Sequence, residues 1–165
     1  MNIFVLDLNP YKAATYYDDV RLPKMVVELY QQLGSAVIRH GATPDMMPLT
    51  KKGTPLKGGY HNHPCTRWTG DTRDNFIWAS IHAATLAEEF ERRFNKPHFC
   101  ADGIEKLFHL RELIPCDDMT PFAQAMPDEY KHDDPVVAYR RYYKSKADSK
   151  GGVRYKHTKK PYWWD

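Results

Sequence analysis

The sequence predicts a mainly α-helical protein, a compact single-domain bundle of about four to five helices with a short extended N-terminal segment. Apolar residues recur every three to four positions over several stretches, which is the period of an amphipathic helix. The chain has 165 residues, of which 42% are hydrophobic, and this length supports one core but is short for two. We therefore expect residues 1–165 to form a single domain, with residues 148–165 as a basic aromatic tail.

The first part of the chain predicts an extended segment followed by two helices. Residues 1–7 are a short β-prone run that closes at Asn9-Pro10, so we expect either a strand or an extended segment fixed in the core. Residues 11–19 suit a short helix. The next helix is predicted to begin at Pro23, because apolar residues after it form one stripe at helical spacing. Its members are Met25, Leu29, Leu33, Ala36 and Val37.

Residues 41–70 are rich in glycine and proline, which predicts a long loop or a set of turns. The strongest helical pattern follows at residues 71–94, with Asp71 as its capping residue. A further helix is predicted to open at Asp102, and a short helical turn to follow Thr120 and Pro121.

Positive charge is concentrated near the end of the chain. A last helix is predicted at residues 136–147, after Asp134-Pro135 and before Gly151-Gly152. From Tyr139 to Lys160 there are nine Lys or Arg and one acid, a local balance of +8 in a protein whose net charge is +3. Tyrosines and tryptophans alternate with these charges. A basic surface with interleaved aromatic rings is typical of proteins that contact nucleic acid, although a solvated helix face with a loose tail has the same composition.

The sequence predicts neither a metal site nor a cofactor. Imidazole and thiolate groups occur at His61, His63, Cys65, His98 and Cys100, but their alternating spacing does not match a zinc knuckle. We instead expect His63 to start a helix or to line a pocket. Phosphate-binding, dinucleotide-binding and nucleophile-elbow motifs are not found in the sequence.

Three scattered cysteines and the lack of a long apolar run favour a reducing, cytoplasmic location without membrane insertion. Because Asn2 is not a small residue, we expect Met1 to be retained. The oligomeric state is left open by the sequence.

Several short motifs along most of the chain resemble a family of short phage and bacterial proteins. The shared motifs are Met-x-Ile-Phe-Val-Leu-Asp, His-Pro-Cys-x-x-Trp, Lys-x-His, Thr-Pro-Phe-x-x-Ala-Met-Pro-Asp and Ala-Tyr-Arg-x-Tyr-Tyr. They stand here at Met1–Asp7, His63–Trp68, Lys96–His98, Thr120–Asp128 and Ala138–Tyr143. This resemblance indicates relatives but no particular reaction.

A looser resemblance is to the phage pyrimidine-dimer DNA glycosylase endonuclease V, a compact all-helical enzyme. Both have an apolar N-terminal segment, an early Leu-Pro followed by a basic residue, a long central helix and a C-terminal Tyr-rich basic motif. In that family the N-terminal amine attacks the sugar carbon C1′ to give an imine, and a glutamate directly before Leu-Pro stabilises the charge. Here Arg21 precedes Leu22-Pro23, so Asp19 or Glu28 would have to replace that acid.

The resemblance implies a DNA-binding enzyme that acts on a base or its N-glycosidic bond, with duplex DNA, damaged or modified, as the expected partner. The expected chemical residues are Met1, Asp19, Lys24, Glu28, His63 and Glu89. The expected nucleic-acid contacts are Tyr139, Arg140, Arg141, Tyr142, Tyr143, Lys144, Lys159, Lys160 and Trp163. Two other functions fit the same pattern: a transferase that modifies bases in phage DNA, and a nucleic-acid-binding protein without chemistry. Lys24 with Glu28 also has the spacing of a surface ion pair on a helix.

Overall fold

A computed structural model describes residues 2–165, and the expected site residue Met1 lies outside the described residues. Within this range the regular structure is helical, and the only β-type pairing is an isolated bridge between Leu49 and Pro55. The predicted all-α fold class is confirmed. No helix of the described part combines the length and the apolar character that crossing a bilayer requires.

Six α-helices follow one another in the described chain. Their bounds are α1 Pro10–Thr15, α2 Leu22–Arg39, α3 Pro64–Asp71, α4 Arg73–Phe94, α5 Ala101–Phe108 and α6 Pro135–Lys144. Four of them, α1, α2, α3 and α6, carry proline in the first turn. Proline is tolerated there because the N–H group it lacks has no partner within the helix.

Helix α4 lies at the centre of the bundle and packs against α1, α2, α3 and α5. Its Phe76 and Leu86 are fully buried, as are Leu29 and Leu33 of α2. Burial of each such side chain contributes about 1.5–3 kcal/mol to stability. The stripe that the sequence predicts for α2 is therefore its core face.

The N-terminal segment is buried, pairs with no strand in the described chain, and turns at Phe4, whose φ is 31°. Ile3 to Leu6 lie in the core, where unpaired backbone groups would be costly. Side chains satisfy them in place of a sheet. The Tyr17 hydroxyl donates to the Ile3 carbonyl at 2.9 Å, and Arg140 Nε donates to the Leu6 carbonyl at 2.9 Å.

The predicted long loop contains a helix, so that interpretation of residues 41–70 is wrong in its last third. Helix α3 forms because His63 caps it and Pro64 occupies its first turn. The cap of α4 is Thr72, whose hydroxyl accepts from the Asn75 N–H at 3.1 Å. Asp71, the predicted cap, instead pairs with Arg39 at 2.9 Å.

Other element bounds also differ from the predictions. Residues 121–126 are not helical. Two hydrogen bonds hold this stretch in place: the Thr120 N–H donates to Asn75 Oδ1, and Asn2 Nδ2 donates to the Ala125 carbonyl. Helix α6 ends at Lys144 and continues as a 3₁₀ turn over Ser145–Asp148. Helix α1 ends at Thr15 and α5 begins without a side-chain cap.

The C-terminal tail is packed along the connection between α1 and α2. The Asp19 N–H donates to the Arg154 carbonyl at 2.8 Å, and the Tyr155 hydroxyl donates to the Tyr16 carbonyl at 2.7 Å. The rings of Trp163 and Trp164 pack against the core. Residues 149–165 are thus part of the folded structure.

Candidate functional site

Asn2 fixes the start of the described chain on the surface of α2. Its Oδ1 accepts from the N–H groups of Ile3 and Phe4 at 2.8 and 3.2 Å, and its Nδ2 donates to the Ala125 carbonyl at 2.9 Å. Its own carbonyl accepts from Gln32 Nε2 at 3.1 Å. Four hydrogen bonds therefore fix this buried residue, and the one from Gln32 holds it against α2.

Glu28 lies one helical turn before Gln32, so both side chains project from the same face of α2. Only 16% of the Glu28 side chain is exposed, and Lys24 Nζ lies 3.5 Å from its Oε1. The predicted pairing of Lys24 with Glu28 is confirmed. Because the Lys24 side chain is 67% exposed, this pair contributes little to stability, and the lysine can exchange Glu28 for a phosphate.

His63 faces the same region from the N-terminus of α3. Its Nδ1 accepts from the Cys65 N–H at 3.1 Å, which leaves hydrogen on Nε2 in the neutral ring. Burial lowers the pKa of His63 below its usual value, and the negative charge of Glu28 acts in the opposite direction. His63 is therefore neutral near pH 7 and lies within the electrostatic range of Glu28. The expectation that His63 starts a helix is confirmed.

The loop before His63 closes tightly onto α2. Ser35 Oγ donates to the Gly59 carbonyl and accepts from the Gly59 N–H, both at 2.8 Å. Gly58 has a φ of 69°, and a Cβ there would lie 2.7 Å from the Ser35 nitrogen. Only glycine fits this position without displacing backbone. The close contact of this loop with α2 places His63 beside the polar face of that helix.

Asp19 and Glu89 belong to a different network. Asp19 pairs with Arg93 at 3.3 Å and accepts from the N–H groups of Lys156 and His157 at 2.7 and 2.9 Å. Glu89 pairs with Arg92 and Arg93. Although burial raises the pKa of Asp19, the hydrogen bonds from His157 and Lys156 outweigh it and hold that pKa below its usual value.

This second network joins α4 to the tail, and its carboxylates are already occupied by charge-assisted bonds. Asp19 and Glu89 thus form structural ion pairs with Arg93, whose side chain is fully buried, and a chemical role for either carboxylate stays a prediction.

Arg21 directly precedes Leu22-Pro23, where the resemblance to endonuclease V would imply a glutamate. It pairs with Asp18 at 3.2 Å and donates to the Gly152 carbonyl at 2.9 Å and to Ser149 Oγ at 3.1 Å. These bonds clamp the tail onto the start of α2. Position 21 therefore has a structural role in this chain.

Two tyrosines predicted to contact nucleic acid lie in the core instead. Tyr139 and Tyr143 have no exposed surface, and the Tyr143 hydroxyl donates to Asp18 at 2.6 Å. Burial raises the pKa of both phenols well above its usual value. That prediction is wrong because residues four apart on α6 share one face, and this face packs on the N-terminal segment. Tyr142 is half-buried and stacks on Phe4.

The other side chains expected to contact nucleic acid, together with Tyr162, lie on α6 and the tail, and we call this set the α6 surface. Its members are Arg140, Arg141, Lys144, Lys159, Lys160, Tyr162 and Trp163. Arg141, Lys159 and Lys160 are exposed, and Tyr162 is 79% exposed. Arg140 is held by Leu6 and lies over the Trp163 and Tyr162 rings at 5.1 and 5.5 Å from their centroids. The ring presented to solvent is thus Tyr162, which sequence analysis did not single out.

Within residues 2–165 no group of three or more His, Cys, Asp or Glu side chains is arranged to hold a metal ion. Cys65 is buried beside the Tyr139 hydroxyl, and burial raises its pKa to about 11. Cys100 is likewise buried, and its backbone N–H donates to His98 Nδ1 at 3.1 Å. These side chains serve as core and capping groups.

The fold and the site define an all-helical protein in which Asn2 is held on α2 one helical turn from a largely buried glutamate, Glu28. Comparison with protein-family models, with curated proteins and with solved structures finds no match.

Proposed function

We propose that this protein is a DNA-directed enzyme that acts on a base or its N-glycosidic bond, with Glu28 as its working carboxylate. The observation that carries the proposal is the hydrogen bond from Gln32 to Asn2, because it holds Asn2 against α2, one helical turn along that helix from Glu28. The resemblance to endonuclease V implies an amine and a carboxylate in one place. Among the expected acids, this position favours Glu28.

In the imine mechanism that the resemblance implies, the amine of Met1 forms a bond to C1′ while the base leaves with the electron pair of the N-glycosidic bond. The amine loses a proton and the base gains one. Opening of the C1′–O4′ bond, with a proton taken up by O4′, then gives the imine. An α-amine has a pKa of about 8, so a useful fraction is neutral near pH 7.

The described residues suit supporting roles in this reaction. The Glu28 carboxylate offsets the positive charge that develops on the sugar and on the imine, and its low exposure strengthens that interaction. His63 carries a hydrogen on Nε2 that it can donate to the leaving base or to a sugar oxygen. Lys24 is exposed and can bind a neighbouring phosphate.

The α6 surface supplies the expected contact with duplex DNA. It is joined to the site by the extended segment, since Asn2 bonds to α2 while Leu6 bonds to Arg140. Phosphate binding by its basic residues gives an affinity that falls steeply with salt. The exposed Tyr162 ring can stack on a base or fill the gap that an extruded base leaves.

Replacement of Glu28 by Gln tests this assignment. Loss of a charge that stabilises the transition state typically costs 10²- to 10³-fold in rate, so Glu28→Gln should break N-glycosidic bonds in ultraviolet-irradiated duplex DNA, scored as new abasic sites, at least about 100-fold more slowly than the wild type. The matched control is Glu89→Gln on α4, assayed at a temperature where both variants are folded. Equal rates for Glu28→Gln and the wild type would contradict the proposal, and a modified base retained in the DNA would indicate a transferase.

A further inference from the structure

Two clefts meet on the side of α2 that faces the 49–51 loop and the chain before α5. One, of about 300 Å³, lies between α2 and the loop, and the other, of about 520 Å³, lies between the start of α2 and residues 96–99. Val27, Lys51 and Phe99 line both clefts. The two clefts are therefore adjacent, and together we call them the Phe99 groove.

The charge of the Phe99 groove is one-sided. Its walls contain Lys24, Lys51 and Lys96, and none of its lining residues is acidic. The cleft between α4 and α5 is the opposite case, since Glu88, Glu91 and Glu105 rim it. The groove is thus suited to an anionic chain rather than to a basic or purely apolar partner.

Phe99 gives the groove a stacking platform. Its side chain is 58% exposed, and its ring stacks on His98 with centroids 4.8 Å apart and an interplanar angle of 23°. His98 is itself fixed, because its Nε2 lies 3.1 Å from the Pro23 carbonyl and its Nδ1 accepts from the Cys100 N–H. A large apolar ring held rigidly in solvent is available to stack on a partner.

Lys51 connects the platform to the charged walls. Its Nζ lies 3.9 Å from the centroid of the Phe99 ring. This side chain is exposed and flexible, and an exposed cation–π contact is weaker than the stacking of a base on an aromatic ring. A base can therefore take the place of the ammonium over the ring while the ammonium moves to an adjacent phosphate.

We propose that the Phe99 groove binds an unpaired stretch of nucleic-acid strand, with one base stacked on Phe99 and phosphates held by Lys24, Lys51 and Lys96. The proposal rests on the proposed function, because Lys24 also contacts Glu28 and so joins the groove to the candidate site. A strand lying in the groove would lead toward the carboxylate. The groove and the α6 surface then hold different parts of the same DNA.

Binding of a fluorescein-labelled oligothymidylate, followed by anisotropy, tests the groove. Phe99→Ala should weaken binding by about 5- to 100-fold, and Phe99→Trp should retain it. Lys51→Gln should lower the slope of log affinity against log salt concentration by about 0.7. The matched control is Lys52→Gln, because Lys52 is the exposed neighbour of Lys51 and lines neither cleft.

Affinities of Phe99→Ala and Lys51→Gln that equal the wild-type value would overturn the proposal. Tighter competition by an acidic polypeptide such as polyglutamate than by unlabelled oligothymidylate would also overturn it. Base release from duplex DNA is measured separately. If strand binding depends on Phe99 but no base is released, the groove proposal stands and the proposed reaction is contradicted. If bases are released but strand binding does not depend on Phe99, the proposed reaction stands and the groove proposal is contradicted.

Discussion

At the scale of single residues, the carboxylates separate by the partners that they already have. Glu28 pairs with Lys24, whose side chain is 67% exposed, whereas Asp19 pairs with Arg93, whose side chain is fully buried. Two carboxylates that were equal alternatives in the sequence therefore differ in the exposure of these cationic partners. Breaking a contact to an exposed lysine costs less than breaking a buried pair.

Removal of Arg93 should be strongly destabilising. Arg93→Met leaves Asp19 buried and without its cationic partner, so we expect the free energy of unfolding in urea to fall by about 3–5 kcal/mol. Lys24→Met is the control, because it removes the cation of an exposed pair and should change stability by less than about 1 kcal/mol. Similar losses for the two variants would show that the Arg93 network is not structural.

His82 should make stability depend on pH. Its ring is fully buried, with Nδ1 at 3.1 Å from the Pro10 carbonyl and Nε2 at 3.0 Å from the Tyr17 hydroxyl oxygen. Burial lowers the pKa of His82 to about 4, against about 6.5 in an unfolded chain. Between these pH values only the unfolded chain binds the proton, so stability is full above about pH 6.5 and falls toward pH 4.

The full loss from His82 is about 3 kcal/mol. Urea unfolding at several pH values measures it. His82→Gln should reduce the slope of stability against pH in this window, whereas exposed His109→Gln should leave the slope unchanged. An unchanged slope in His82→Gln would contradict the assignment of a neutral buried imidazole.

At the scale of elements, α2 and α4 were predictable because their apolar stripes extend over many turns. Helix α3 was missed because it begins at a proline and contains a glycine, both of which indicate loops in an isolated sequence. The burial of Tyr139 and Tyr143 could have been predicted from their spacing in the sequence. They are four residues apart on a predicted helix, a spacing that places both on one face.

The contact of Asn2 with Gln32 could not be predicted from the periodicity of apolar residues in the sequence. These residues are 30 positions apart, and their hydrogen bond depends on how the extended segment crosses α2. The sequence could identify Glu28 as a candidate by helical spacing, but only tertiary packing separates it from Asp19. The exposure of Phe99 was likewise not predictable from the sequence, because it depends on the turn that precedes α5.

The closure of the 58–63 loop onto α2 should depend on Gly58. Gly58→Ala adds a Cβ that meets the Ser35 backbone and also strains a φ of 69°, whereas Gly53→Ala strains a φ of 75° with nothing within 4 Å. We expect Gly58→Ala to lose at least about 1 kcal/mol more stability than Gly53→Ala. Thermal unfolding of both variants measures the difference, and equal losses would show that the loop does not close as described.

At the scale of the whole molecule, the clefts differ in charge. Lysines line the Phe99 groove, while the cleft between α4 and α5 is rimmed by glutamates. The N-terminal segment connects α2 and α6, because Asn2 accepts from Gln32 and Leu6 accepts from Arg140. The proposed function assigns Glu28 and the α6 surface to this one arrangement.

The most direct test of this arrangement is borohydride reduction of the protein mixed with duplex DNA that contains an abasic site. Borohydride adds hydride to the imine carbon and leaves a stable secondary amine, which appears as a covalent protein–DNA adduct. We predict an adduct in the wild type that maps to the peptide containing Met1 and that forms far more slowly in Glu28→Gln. Duplex binding without an adduct, or an adduct at a lysine side chain, would contradict the central claim.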